Sequence, residues 1–233
     1  MSTETATAED RGYEYKIDCS PDYSFITVQV PENESIRVES SAMATMSTNM
    51  AMSTSLKGGL SRAVSGESIF INEFTAEEGP GEIGIAPASP GETVHRYLDG
   101  DTIYLQNSAF VASAPTVETE AEWQGMTKGF FGGESLFLIR CSGRGDLWFN
   151  SYGAILEVDV TDQYIVDTGF IVAFTEGLNY NVEALGGFKS FFFSGEGLVC
   201  RFRGQGKVWI QTRQVPAFRG WINPFRRTES TND

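Results

Sequence analysis

A chain of 233 residues is long enough to bury a real core, as one large domain or a few fused small ones. Its apolar share of 41%, with 25 Gly against 8 Pro, suits a turn-rich all-β protein. A formal charge of −14 argues against a general nucleic-acid binder, because phosphate contacts need clustered Lys and Arg.

Residues 1–12, MSTETATAEDRG, are polar and acidic and read as disordered. They carry neither the apolar core of a secretory signal nor the Arg-rich, acid-poor look of a transit peptide. No apolar run approaches the roughly 18 residues of a membrane span. The default address is therefore the cytoplasm, and the Asn33-Glu34-Ser35 sequon carries no weight. The three cysteines, Cys19, Cys141 and Cys200, show no metal spacing and are odd in number, which predicts free thiols in a reducing compartment.

Strands are expected over residues 13–18, 25–30 and 36–39. Residues 42–53, AMATMSTNMAMS, form either a flexible loop or an extended segment whose Met side chains fill core gaps, since thioethers adapt to irregular space. Further strands fall near 102–105, 109–112, 154–158, 164–166, 170–174 and 180–183. The stretch 189–213, KSFFFSGEGLVCRFRGQGKVWIQTR, reads as a β-hairpin turning at Gly204-Gln205-Gly206. A Gly-Glu turn, a strand, a Gly-x-Gly turn and a second strand occur three times, beginning at Gly66-Glu67, Gly133-Glu134 and Gly195-Glu196. The first copy departs most, with Gly84 where the others have Trp148 and Trp209. The pattern predicts one all-β unit over 13–213 made of three β-sandwich-like repeats, about 13–90, 91–155 and 156–213, in pseudo-threefold arrangement, followed by a tail at 214–233.

Six segments in order carry a resemblance: Gly58-Gly59 to Ser68, Ala109 to Ser113, Gly132-Gly133-Glu134, Val166 to Gly169, Gly195 to Val199 and Val208 to Arg213. Together they resemble the AIM-twenty-four (mitochondrial biogenesis) family, across residues 12–213. The resemblance implies subdomains similar to the ring-forming tryptophan RNA-binding attenuation protein, of double-stranded β-helix type, and a homo-oligomer, with a trimer expected. It implies no catalytic residue and no cofactor.

Candidate chemistry is sparse. Tyr164 to Gly169 has the apolar-strand-then-Asp-Thr-Gly form of an aspartic-protease half-site, with Asp167 as the carboxylate, but in a single copy. His95, the lone histidine, is read as a satisfied or exposed strand residue. Glu67, Glu134 and Glu196 would hold a cation only if a pseudo-symmetry axis brought them together, and solvated charges beside glycine turns is the preferred reading. The C-terminal segment is more informative: residues 201–227 hold seven Arg and Lys and no acid. Arg219, Trp221, Phe225, Arg226 and Arg227 make an aromatic-basic group suited to a membrane surface or an acidic partner. The resulting expectation is a non-enzymatic oligomeric scaffold or binding protein that uses no metal or cofactor and binds no nucleic acid. A peripheral membrane factor docking through the tail is the first alternative. An Asp167 protease or carboxylate-metal hydrolase is the second.

Overall fold

The structure is a computed structural model that describes residues 12–55, 71–123, 137–184 and 198–226. The first third of the chain holds β1 (Glu14–Asp18), β2 (Phe25–Val30), β3 (Ser35–Glu39), β4 (Met43–Met46), β5 (Met50–Ser55), β6 (Ile71–Ala76) and β7 (Gly81–Ile85). The second holds β8 (Thr93–Gln106), β9 (Phe110–Ser113), β10 (Val117–Trp123) and β11 (Phe137–Asn150). The last holds β12 (Ile155–Val160), β13 (Gln163–Asp167), β14 (Ile171–Thr175), β15 (Leu178–Ala184), β16 (Leu198–Gly204), β17 (Gly206–Gln211) and, among the described residues, one α-helix, α1 (Val215–Ile222). The chain is mostly β, as its alternating pattern and glycine-marked turns predict.

The strands on either side of each Gly-x-Gly do not form the expected hairpins. Strand β16 pairs with β13 and β15, whereas β17 pairs with β12 and β14. Likewise β6 pairs with β3 and β5, and β7 with β2 and β4. The Gly-x-Gly is a crossing from one sheet to another. Its first glycine bends the chain at positive φ, 117° at Gly79 and 119° at both Gly143 and Gly204. Its third position is crowded: a Cβ on Gly81 would meet Met50 Sδ, and one on Gly206 would meet Leu178 Cγ at 2.9 Å. In the second third the crossing lies inside β11, and β8 makes the matching bend at Gly100, φ 91°.

The same pairings recur along the chain. Strands β2–β7, the first half of β8 with the second half of β11, and β12–β17 correspond, as do β4–β7, β9–β11 and β14–β17. Each of the last three contains a register shift at the same place, at Met43/Thr45, Trp148/Phe149 and Ile171/Ala173. Between thirds, β9 pairs with β3 and β14 with β8. The result is a ten-stranded sheet through the middle of the chain, a four-stranded sheet β1-β2-β7-β4 at one end and a three-stranded sheet β13-β16-β15 at the other.

Three hydrophobic clusters pack against these sheets, and the second is built wholly from strands of the ten-stranded sheet and the turn before β9. The first contains Ile26, Val28, Ile36, Val38, Phe74 and Trp148; the second Leu98, Phe110, Leu147, Phe149 and Trp209; the third Leu138, Phe174, Cys200, Phe202 and Val208. Successive residues of β11 point into different clusters, so Leu147, Trp148 and Phe149 are all fully buried. Among the described residues, the first cluster takes nothing from the last third and the third takes nothing from the first. The layers therefore run in series. The Met-rich segment 42–53 is extended: Met50 is buried and Met43 packs on the first cluster, while Met46 and Met52 are exposed.

Candidate functional site

The C-terminal site is built on α1. Gln214 precedes it in extended conformation, Pro216 fits the first turn, and the chain continues into a 3-10 turn at Asn223–Phe225. No residue of α1 is buried. Val215, Phe218, Trp221, Ile222 and Phe225 are all exposed, Trp221 at 66% and Phe225 at 74%. Phe218, Trp221 and Phe225 lie ring to ring at 6.0 and 5.9 Å, and Phe218 meets the body at Tyr152, 6.1 Å away. Arg219, Ile222, Phe225 and Arg226 line one surface cleft. The structure thus brings together four of the five residues singled out in the tail, and Arg227 lies outside the described residues.

A second candidate surface was not legible in the sequence. Among the described residues, strands β4 and β13 are each paired on one side only, and they edge the two terminal sheets. Counting from the shared register shift, Met46 occupies the place of Ser113 in β9 and Phe174 in β14. Those two residues pair across thirds with Arg37 and Tyr104. Ile165 stands two residues before the cap of a 3-10 turn, as Tyr104 does, since Asp167 accepts from Gly169 N at 2.8 Å and Gln106 from Ser108 N at 2.9 Å. Ser113 and Phe174 are 0% exposed, whereas Met46 and Ile165 are each 42% exposed. The exposure follows from position: each is an apolar residue on a strand edge that meets no neighbouring strand.

The remaining sequence candidates resolve as follows. Asp167 ends β13 and its carboxylate caps the turn that follows, while Thr168 Oγ1 donates to Leu198 O at 3.1 Å, so the Asp-Thr-Gly motif is engaged as a strand end. His95 Nε2 lies 2.7 Å from Asp146 Oδ1, and its ring centroid lies 4.2 Å from that of Tyr15 with the planes tilted by 40°. The buried Asp146 also accepts the Tyr13 backbone N–H at 3.0 Å. Glu67, Glu134 and Glu196 all lie outside the described residues. The three thiols are free; Cys141 and Cys200 are buried, which pushes both up to about 12, and Cys19 is exposed. No helix among the described residues is long and apolar enough to cross a membrane.

Comparison with known proteins bears on the fold and the family. An uncharacterized protein of Streptococcus pyogenes serotype M6 is 28% identical over 95% of this chain and 94% of its own length. The crystal structure of a Streptococcus pyogenes protein superposes with a TM-score of 0.79 at 26% identity, covering 92% of this chain and 100% of that one. The model of the family described as Mitochondrial biogenesis AIM24 matches residues 15–213, which is the whole layered body short of α1, and the chain therefore belongs to that family.

Proposed function

We propose that the protein is a non-enzymatic assembly module whose copies join head to tail, β4 of one against β13 of the next, into a closed ring of three that scaffolds or binds a partner. The observation that carries this reading is the pair of open edges. The pairing that joins β9 to β3 and β14 to β8 is made twice within the chain, and its third instance would join β4 to β13. By the same register, Met46 would face Ile165 and Thr45 would face Val166. Joining the four-stranded and three-stranded end sheets would give a layer like those inside the chain and remove both edges. Three chains of three pseudo-equivalent repeats would then form one continuous circle.

The edges are heterologous, so closure needs a fixed rotation per copy, and a two-strand backbone match supplies it. Native mass by light scattering on the separated protein tests the reading. Three copies are expected for the wild type, and a single copy for Ile165→Lys, which sets a charge on the joining strand. A monomeric wild type, or an Ile165→Lys trimer, overturns it.

A further inference from the structure

We infer that α1 and the turn after it form an interfacial anchor that docks on an anionic lipid bilayer, with the aromatic ladder entering the headgroup boundary and the arginines on lipid phosphates.

The argument starts from composition along a helix. Val215, Phe218, Ile222 and Phe225 recur at helical spacing with Trp221 beside them, so one broad face is apolar. In a helix belonging to the body, that face would be buried. Here every residue of α1 is exposed, and among the described residues its one ring contact with the body is Phe218 on Tyr152. Burying the five large side chains elsewhere would remove apolar surface from water, a driving force the isolated chain leaves unused.

The charge on this helix selects the occupant. The body is acidic, yet Leu198 to Arg226 contains no Asp or Glu. Arg219 and Arg226 line the same cleft as Ile222 and Phe225, which sets guanidinium groups at the border of the apolar face. A bilayer surface asks for this layout: apolar and aromatic side chains pointing into the acyl boundary, with cations on the phosphates above. Trp221 and Phe225, the two most exposed of the large apolar residues in this segment, are residue types that interfacial helices carry on the face they bury. A soluble acidic protein would satisfy the arginines and leave the aromatic ladder wet.

The proposal rests on the ring reading in one respect only. A rotation axis places the same element of every copy on one side, so a ring would present its helices together and bind through several at once. One short helix gives weak attachment, because binding scales with buried apolar area. Display in a ring turns weak contacts into retention against the repulsion between an anionic surface and a chain of formal charge −14.

The test is co-sedimentation of the full chain with vesicles of phosphatidylcholine and phosphatidylglycerol in equal parts, and with vesicles of phosphatidylcholine alone. Binding to the mixed vesicles and not to the neutral ones is expected. Trp221→Ser with Phe225→Ser should weaken it about tenfold or more, and Arg219→Glu with Arg226→Glu should abolish it. These side chains are exposed, so the variants keep the wild-type melting curve, and a shifted curve is met by repeating the assay with Trp221→Ser alone. Absence of binding to the mixed vesicles, or equal binding by the aromatic variants, overturns the anchor. So does capture by soluble poly-glutamate in place of vesicles. Light scattering on the same samples separates the two readings: a ring that ignores vesicles sinks the anchor alone, and a monomer that binds them sinks the ring alone.

Discussion

Asp146 and His95 sit on diagonally neighbouring positions of β11 and β8, and Oδ1 of one lies 2.7 Å from Nε2 of the other. The same carboxylate takes the Tyr13 N–H with its second oxygen, and Tyr13 O–H donates to Ser35 O at 2.7 Å. Asp146 is thus the nail that holds β1 against the body, and the approach is close: a Cβ on Gly12 would lie 2.4 Å from Asp146 Oδ1. Asp146→Ala leaves a buried N–H and an imidazole without their acceptor and should cost about 2–3 kcal/mol in urea unfolding. Gly12→Ala should loosen the same contact by steric means. In both variants limited proteolysis should clip ahead of β2 well before the wild type is touched, and an unchanged N-terminal cleavage rate would contradict this role.

The head-to-tail reading makes a sharper forecast than mass alone. Met46→Lys spoils one edge and leaves β13 sound; Ile165→Lys spoils the other and leaves β4 sound. Each variant alone should be monomeric. Mixed, they should form a heterodimer that grows no further, because one sound edge remains on each. A self-complementary interface would give no such rescue, and neither would two unrelated surface defects.

The thiols should separate by exposure. Burial holds Cys141 and Cys200 up at about 12, so almost no thiolate exists at neutral pH, whereas Cys19 is exposed in the turn after β1. An aromatic disulfide reagent should label one thiol per native chain quickly and all three in guanidinium. Fast labelling of a second thiol in the native protein would show that the second or third cluster opens locally.

Glu39 ends β3, and burial pushes its carboxyl up from 4.5 to about 7. A carboxyl whose folded value lies above its unfolded one is bound to more protons in the native state. Its contribution is therefore fully present below about 4.5 and is lost as pH rises toward 7. Glu39→Gln should be indistinguishable from wild type at pH 4 and more stable by about 1 kcal/mol above pH 7, the full shift being discounted for the solvent that still reaches the group. Equal stability of the two proteins at pH 8 would count against a desolvated carboxylate.

Much of the architecture can be read from local pattern. Alternation marked Phe25 to Val30 as a strand at both ends, and its buried Ile26, Val28 and Val30 are the apolar half of that alternation. The three Gly-x-Gly positions are likewise visible, because a positive φ and a crowded third site both demand glycine. What the pattern lacks is partner choice. A glycine turn between two strands looks the same whether the strands pair with each other or with strands about sixty residues away, which is why hairpins were expected and sheet crossings found. The first copy lacks Trp at Gly84 because Phe25 already fills that space, with its Cζ 2.7 Å from where a Cβ would stand. The His95–Asp146 contact spans 51 residues, and the open edges at Met46 and Ile165 are defined by an absent neighbour. The aromatic-basic tail was legible in composition, and its helix was not, since two turns are too short for a periodic signal.

The crossing at each Gly-x-Gly also sets a timetable for synthesis. Strand β3 is made early, yet the strand that covers its outer side, β9, follows more than seventy residues later. The ribosome therefore delivers a half-sheet with a bare margin and completes it only after the next unit has left the tunnel. At about 5–20 residues per second that margin stays open for several seconds, a window in which neighbouring nascent chains on one message can pair wrongly. Cutting the gene at any boundary between thirds would make that interval permanent.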